Sequence, residues 1–524
     1  MNESIQAKAS VPLWGLLVLL FGVLSQYLLV DRSPGISVAV LLLAYYGLLF
    51  FFTQGRSETG KGFLLRPWQL WLPLAAALLL ALSYTLFANS VFRVLNVPVL
   101  AALLVYHSLL LRQDGFLHKK GSKWLTALLY AGIGAPIRRL LVPAQLIGKR
   151  IRFGKKENTS ASQARKLLLG LALALPVLLF VLMLLASADP VFDSWLSAFP
   201  EWLGRLSLGE GVGRSVFALV IAWYLFCFFW GLVLEKRTAS LDPEAEHADG
   251  QKTKQGQKGT LFEEEAHLHD GLGIPKLDPL VAAGFLGAVN VLYLLFAIVQ
   301  FAYLFGGAQG LLPEGVVYAD YARQGFAELV LVAAINLTIL LAGFKVIAPG
   351  SPVMDRVRRL LFGLLVLCTL VMLISAYTRL SLYEDAYGYT MLRLLVHGFM
   401  LYLGVFFLLA LARIWRERLE LSKLFAVTTL LACLVMTYAN LDERIARNNT
   451  DRYERTGKID AAYLGGLSSD AYPVLSKFQA EHPEIEGLLQ AVHEIKQRAQ
   501  AATHQGWPSW NYSHWKAAKG GTDG

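Results

Sequence analysis

The stretch Leu360-Leu-Phe-Gly-Leu-Leu-Val-Leu-Cys-Thr-Leu-Val-Met-Leu-Ile-Ser-Ala-Tyr377 carries no charge, with Arg356, Arg358 and Arg359 before it and Arg379 after it. As a helix rising about 1.5 Å per residue, it nearly matches a hydrocarbon core about 30 Å thick. A soluble protein can hold one such buried helix, but here the pattern recurs. Apolar blocks stand at 11–30, 36–53, 69–88, 92–111, 167–187, 214–234, 280–305, 326–346, 359–378, 390–412 and 423–440. The 524 residues are 55% hydrophobic and only 16% charged, with mean hydropathy +0.48, where soluble domains carry about 25% charge. These blocks predict an all-α fold: a polytopic transmembrane bundle of about 11 spans, followed by a small helical extracytoplasmic C-terminal region.

The net charge of +10 would raise the question of nucleic acid in a soluble protein. In this chain the lysine and arginine bias of cytoplasmic loops accounts for it, and no nucleic-acid partner is expected. The bias also sets the orientation. Arg56, Lys61 and Arg66, then Arg356, Arg358 and Arg359, then Arg413, Arg416 and Arg418 all fall in loops on the side of the N-terminus. This predicts a cytoplasmic N-terminus, and an odd number of spans puts the C-terminus outside. One span more or fewer after residue 423 would bring the tail inside. The first block is too long for a cleaved signal and has no Ala-x-Ala-like site after it, so a retained first span is expected. Cys227, Cys368 and Cys433 lie inside apolar blocks, which suggests neither disulfides nor a thiolate metal centre.

The expected organisation is a four-span segment 1–112, a basic cytoplasmic loop 113–166, a seven-span core 167–440 and a helical tail 441–524. Asp31 to Gly35 and Asn89-Ser90 each close a tight hairpin. Within the basic loop, residues 122–147 mix apolar runs with Arg138, Arg139 and Pro136. They predict helices lying in the interface against anionic lipid, and two arginines at mid-membrane would make a twelfth, kinked span costly. Residues 239–278 read as a flexible cytoplasmic linker. Its Glu263-Glu-Glu265, His267, His269 and Asp270 match no metallopeptidase spacing, so a solvated charge cluster is expected; no metal or other cofactor is predicted.

In the tail, apolar residues from Ile445 to Tyr453 recur at helical spacing among alternating charges, and Gly457 ends that helix. Ser468 or Ser469 is a natural N-cap for a short helix carrying Val474, Leu475 and Phe478. A further helix over 483–502 opens with Pro483 and places Ile485, Leu488, Leu489, Val492 and Ile495 on one stripe. Trp507, Trp510, Tyr512 and Trp515 close the chain, suited to interfacial anchoring, core packing or recognition of a sugar or peptide.

Several motifs carry a resemblance. They are Ala186-Ser-Ala-Asp-Pro-Val-Phe192, Arg379-Leu-Ser-Leu-Tyr-Glu-Asp-Ala-Tyr-Gly-Tyr-Thr-Met-Leu-Arg-Leu394, Ile445-Ala-Arg-Asn-Asn-Thr-Asp-Arg-Tyr-Glu-Arg-Thr-Gly-Lys-Ile-Asp460 and Leu467-Ser-Ser-Asp-Ala-Tyr-Pro-Val-Leu475. In this order, from about residue 170 to the Trp507–Asn511 segment, they resemble the bacterial multi-pass membrane proteins grouped as domain of unknown function 4173, with the related family 4153. The resemblance implies a shared bundle and an ordered tail in a bacterial cell membrane, and implies no activity. The chain departs from it at Asn449-Thr450, where the family has asparagine followed by an aliphatic residue.

The predicted topology gathers a polar cluster at the outer face: Asp189 and Asp193 beyond the fifth span, Arg379, Tyr383, Glu384, Asp385 and Arg393 around the loop between the ninth and tenth, and Asp442, Arg444, Arg447 and Arg452 at the start of the tail. Arg393 requires a partner inside a span, with Glu384 or Glu328 expected. His397 lies one turn below it and suits either a proton relay or a hydrogen-bonded bundle histidine. Asn290 and Asn336, like Asn96, suit interhelical hydrogen bonds. No catalytic residue is identified: there is no Gly-x-Ser-x-Gly elbow and no phosphate loop. The leading expectation is a structural, sensory or assembly component of the envelope, partnered by the lipid bilayer and by an envelope protein or lipid-linked molecule. A transporter of a small solute or lipid is second, and a membrane-embedded glycosyl- or lipid-transferase third.

Overall fold

The computed structural model describes residues 2–53, 71–112, 123–143, 145–146, 208–234, 277–306 and 326–520. The described elements are helical, and the one extended contact is an isolated parallel bridge between Leu277 and Ile347. Eight of the helices are long and apolar enough to cross a membrane, and Ile36–Phe52 and Trp71–Leu86 are shorter apolar helices. The expected span 167–187 and the linker 239–278, up to residue 276, lie outside the described residues.

In chain order the bundle helices are α1 (Asn2–Leu29), α2 (Ile36–Thr53), α3 (Trp71–Leu86), α4 (Ser90–Arg112), the short α5 (Lys123–Leu129) and α6 (Ala135–Arg138), α7 (Leu208–Phe229), α8 (Pro279–Gly306), α9 (Phe326–Val346), α10 (Pro352–Tyr387), α11 (Met391–Trp415) and α12 (Leu421–Tyr438). One group packs α1 on α7, α1 on α2, α2 on α3 and α3 on α4. Its aromatic core holds Trp14, Tyr45, Phe52, Phe228 and Phe229. The other packs α8 and α9 on α10, and α10 on α11, around Phe362, Leu365, Met372, Leu380 and Phe407. Helix α12 joins them, lying on α11 and also on α3 and α4. Leucines and valines such as Leu20, Leu292, Leu360 and Val435 face outward on these helices, each more than half exposed. A soluble protein would not leave so many large apolar faces uncovered.

Helices α5 and α6 are joined by a π-helical turn, Tyr130–Gly134, and lie against α4 and α7. The hydroxyl of Tyr224 and the indole of Trp223 donate to the carbonyls of Gly132 and Leu140. Ile133, Ile137 and Leu141 face outward.

Helix α10 departs from expectation. Its 36 residues make it about 54 Å long, so it runs well past the apolar block 359–378. Arg379, Tyr383, Glu384 and Asp385, expected around a loop, are therefore helical. No breaker interrupts the segment, the Ser381 hydroxyl bonds back to the Tyr377 carbonyl, and the Tyr383 and Tyr387 rings pack one turn apart at 4.8 Å. The helix stops only at Gly388, whose φ of +88° is strained for any residue with a side chain. The connection to α11 is just Gly388, Tyr389 and Thr390.

After α12, Asn440 adopts the left-handed conformation (φ +48°) and turns the chain into a helical cap. The cap consists of α13 (Leu441–Thr456), α14 (Ala461–Gly465), a 3-10 turn at Ser469–Ala471, α15 (Tyr472–Glu481), α16 (Leu488–Thr503), a second 3-10 turn at Trp507–Ser509 and α17 (Tyr512–Lys519). Gly457 ends α13 in the left-handed conformation, and the Ser468 hydroxyl caps the first 3-10 turn. Helix α16 begins at Leu488 rather than Pro483, because Gly487 holds φ at +78° and residues 483–487 form turns. Its inner stripe is Leu488, Val492 and Ile495, while Leu489 faces out. The cap has its own apolar core of Ile445, Leu464, Leu475, Ile495 and neighbours, with Met391 and Leu394 of α11 packed against it.

Candidate functional site

The cap meets the bundle at one end, where the turns 30–35, 87–89 and 388–390 and the α12–α13 junction come together. Helix α13 determines which of its side chains take part. Asp442, Ile445, Ala446, Asn449 and Arg452 recur at helical spacing and are buried, whereas Arg444 and Arg447 face outward. The sequence-predicted cluster is therefore divided. Arg447 pairs with Glu443 on the surface at 2.9 Å, and Arg444 donates to the Ala439 carbonyl. Arg452 instead reaches under the cap to the end of α10, where it donates to the carbonyls of Asp385 (2.8 Å), Ala386 (2.5 Å) and, within the cap, Lys458 (3.0 Å). The last carbonyls of a helix lack intrahelical donors and carry the negative end of its dipole, so a buried guanidinium satisfies both needs. Beside it, the Asn449 amide accepts from the Tyr389 N–H and donates to the Tyr389 carbonyl.

The ends of α10 and α11 nearest the cap form a second layer beneath this contact. Arg393 does not pair with Glu384: it donates to the Gly388 carbonyl and lies over the Tyr383 ring at 4.3 Å. Glu328 lies in the first turn of α9, and its side chain is outside the described residues. Glu384 is buried and pairs with His397, its Oε2 lying 3.1 Å from Nδ1. The other ring nitrogen, Nε2, faces the Tyr377 carbonyl and the Ser381 hydroxyl at 3.3 and 3.4 Å. Asp385 is exposed, accepts from the Tyr389 hydroxyl and lies 3.9 Å from Arg455. Burial first, and then the Asp385 carboxylate, push the Tyr389 phenol up to about 12. Arg379 is half-buried on α10. Asp189 and Asp193 lie outside the described residues.

A third set of contacts encloses the α3–α4 turn. Asp442 Oδ2 accepts from the Asn89 amide at 2.8 Å and from the Ser468 N–H at 3.3 Å. Asp470 Oδ2 accepts from the Ala88 N–H and the Ser468 hydroxyl. Burial raises both carboxyls above the usual range, against the lowering effect of these hydrogen bonds. From the far end of the cap, Asn511 donates to the Tyr84 and Phe87 carbonyls and Ser513 to that of Leu86. The frayed end of α3 is thus completed by side chains more than four hundred residues away. The turn after α1 is held likewise: Ile36 N–H donates to the Trp510 carbonyl, and Gly35 leaves no room there for a Cβ.

Deeper in the second group, Asn290 donates to the Leu361 carbonyl, and Tyr293, Asn336 and Thr369 form a chain across α8, α9 and α10. Asn96 bonds Thr437 between α4 and α12. Each brings together two or three helices. Among the described residues, no group of three or more His, Cys, Asp or Glu side chains is placed to hold a metal ion, and residues 263–270 lie outside them.

Asn89, Asn449, Ser468, Asp470, Asn511 and Ser513 do not stand among the site residues expected from the sequence: there Asn89 only closes a hairpin, Ser468 only caps a helix and Asn449 only marks a departure from the family. Comparison with curated proteins and with solved structures gives no match. The model of a domain of unknown function, DUF4153, matches residues 74–478, which starts well before the motifs that carry the resemblance and takes in the α3–α4 turn, the α10–α11 connection, α13, α14 and most of α15. Spanning more than half of the chain, that match makes this protein a member of the DUF4153 family.

Proposed function

We propose that this chain is an integral protein of the bacterial cell membrane that holds a folded polar cap rigidly on the outer end of its bundle, as a structural, sensory or assembly component of the envelope. In this reading the chain crosses the membrane about eleven times, with 167–187 as one of the spans, the N-terminus in the cytoplasm and the cap outside. The basic segment 113–166 lies against anionic lipid of the inner leaflet, and the cap receives an envelope protein or a lipid-linked partner. The observation that carries the proposal is the grip on the turns at 87–89 and 388–390 through side-chain-to-backbone hydrogen bonds, many of them buried, with a backbone bond from Ile36 to Trp510 at the end of the turn 30–35. A hinged lid would leave such groups to water; these complete helix ends that would otherwise be orphaned. The polar groups between spans bond to one another and to backbone, which favours bracing over a solute path.

The orientation is tested with single cysteines replacing Lys477 on the cap and Glu417 on the α11–α12 turn, both with exposed side chains. A membrane-impermeant maleimide applied to intact spheroplasts is expected to label the first and spare the second until the membrane is opened. The reverse pattern, or equal labelling of both, overturns the reading.

A further inference from the structure

Residues 507–515 are arranged contrary to the habit of a small soluble domain. Pro508, Ser509 and Asn511 are buried against the bundle, while Trp507, Trp510, Tyr512 and Trp515 are 39 to 54% exposed. Large aromatic side chains are the ones a cap of this size would most profitably bury. These residues sit where the cap meets α1, α2 and α3. Trp507 packs beside Tyr27 at 6.5 Å, at the end of an α1 face that exposes Leu16, Leu20 and Val23. Two cations share this aromatic edge: Arg32 lies over the Tyr27 ring at 4.4 Å, and Lys519 over the Trp515 ring at 4.6 Å. Indoles and phenols with basic groups at the rim of outward-facing leucines match the composition of a bilayer's headgroup layer. A sugar or peptide site would need a concave, polar-lined surface, whereas this edge is continuous with the apolar sides of α1 and α3.

We infer that the edge formed by Tyr27, Trp507, Trp510, Tyr512 and Trp515 is immersed in the phospholipid headgroup layer, with Arg32 and Lys519 meeting lipid phosphates. The cap is then held by lipid as well as by the bundle. This inference rests on the membrane reading above, and its test separates the two. In a chain whose three native cysteines are alanine, an environment-sensitive fluorophore is placed on Trp515→Cys, Tyr512→Cys, Lys477→Cys or Leu431→Cys, in phosphatidylcholine–phosphatidylglycerol nanodiscs. Leu431 faces outward near the middle of α12. Quenching at Leu431→Cys by lipids spin-labelled deep in the acyl chain verifies the bundle's insertion by itself. The rim labels are expected to be quenched by lipids spin-labelled near the headgroup, and several-fold less by aqueous iodide than the label at Lys477→Cys. Tyr512→Cys keeps the test open should Trp515→Cys fail to fold. Iodide quenching at both rim positions equal to that at Lys477→Cys, with Leu431→Cys still quenched by lipid, overturns the inference, leaving the edge free for a soluble ligand.

Discussion

Glu384 Oε2 lies 3.1 Å from His397 Nδ1, and Nε2 of the same ring faces the carbonyl of Tyr377. One imidazole thus bridges the Glu384 carboxyl on α10 and the Tyr377 carbonyl about two turns before it. The pair joins α10 to α11 beneath the cap. Its other buried carboxylate oxygen, Oε1, has no hydrogen-bond partner, so Glu384 depends on His397.

Removing the imidazole leaves the buried Glu384 carboxyl without its partner. His397→Ala is expected to lower stability by about 3–5 kcal/mol, the usual cost of breaking one half of a buried pair. Glu384→Gln removes the charge and keeps the shape, so the double variant Glu384→Gln/His397→Ala is expected to recover part of the loss. Thermal unfolding of purified protein in nanodiscs measures this. A His397→Ala protein as stable as the parent, or no recovery in the double variant, would show that the pair bears little of the load.

The α10–α11 connection tests the cap's grip directly. An alanine Cβ at Gly388 would stand 2.7 Å from Asn449 Oδ1, and φ of +88° is unfavourable for it as well. Gly388→Ala is expected to cost about 1–3 kcal/mol from backbone strain, and more if the Asn449–Tyr389 bonds are pushed apart. Arg452→Lys keeps the charge but cannot span three carbonyls, and is expected to loosen the cap nearly as much as Arg452→Ala. Hydrogen exchange at Tyr389 and Met391, whose N–H groups bond to the cap, reads the loosening. Unchanged protection at both amides would contradict the account.

How much of this was legible in the sequence depends on distance along the chain. The hairpins at Asp31–Gly35 and Asn89-Ser90 were readable because a turn needs only neighbours. So were the stop at Gly457 and the cap at Ser468. The end of α10 was misplaced because hydropathy falls at Arg379 while helix propensity does not; amphipathic continuation past an apolar block looks like a loop to a membrane scale. Of the two carboxylates expected for Arg393 on charge, Glu384 is taken by His397, and the guanidinium lies on an aromatic face and a carbonyl. The Asp470–Ala88 and Asn511–Tyr84 contacts join residues hundreds of positions apart, and nothing in either local pattern specifies the other.

Asp442 separates charge from hydrogen bonding. Burial raises its pKa in the folded state, so the folded protein holds the proton more tightly than the unfolded chain. Its contribution is fully present below the unfolded carboxyl range and is lost as pH rises through the raised folded value. Asp442→Asn still accepts from Asn89 and Ser468 but has no charge to bury, and is expected to flatten the fall in stability on the alkaline side of that transition. Asp442→Ala leaves both donors unpaired and is expected to cost about 1–3 kcal/mol at any pH. Melting temperatures across the acid range distinguish them; an Asp442→Asn protein with the parent's slope would reject the burial argument.

His514 moves in the opposite direction. Burial, with a contribution from nearby Arg93, lowers its pKa to about 4 from an ordinary 6.5, while its Nδ1 lies 2.9 Å from the Ser469 hydroxyl. Between those two values the unfolded chain takes up a proton that the folded protein refuses. Stability is therefore complete above the ordinary value and falls as pH drops through the window, by at most about 3 kcal/mol. Since α17 carries Ser513 and follows Asn511, both bonded to the end of α3, the loss is expected first as detachment of this helix from the α3–α4 turn. His514→Gln removes the titrating group, so its melting temperature should change less than the parent's between pH 7 and about pH 5. An identical acid slope in the two proteins would mean that the imidazole is not buried in its neutral form.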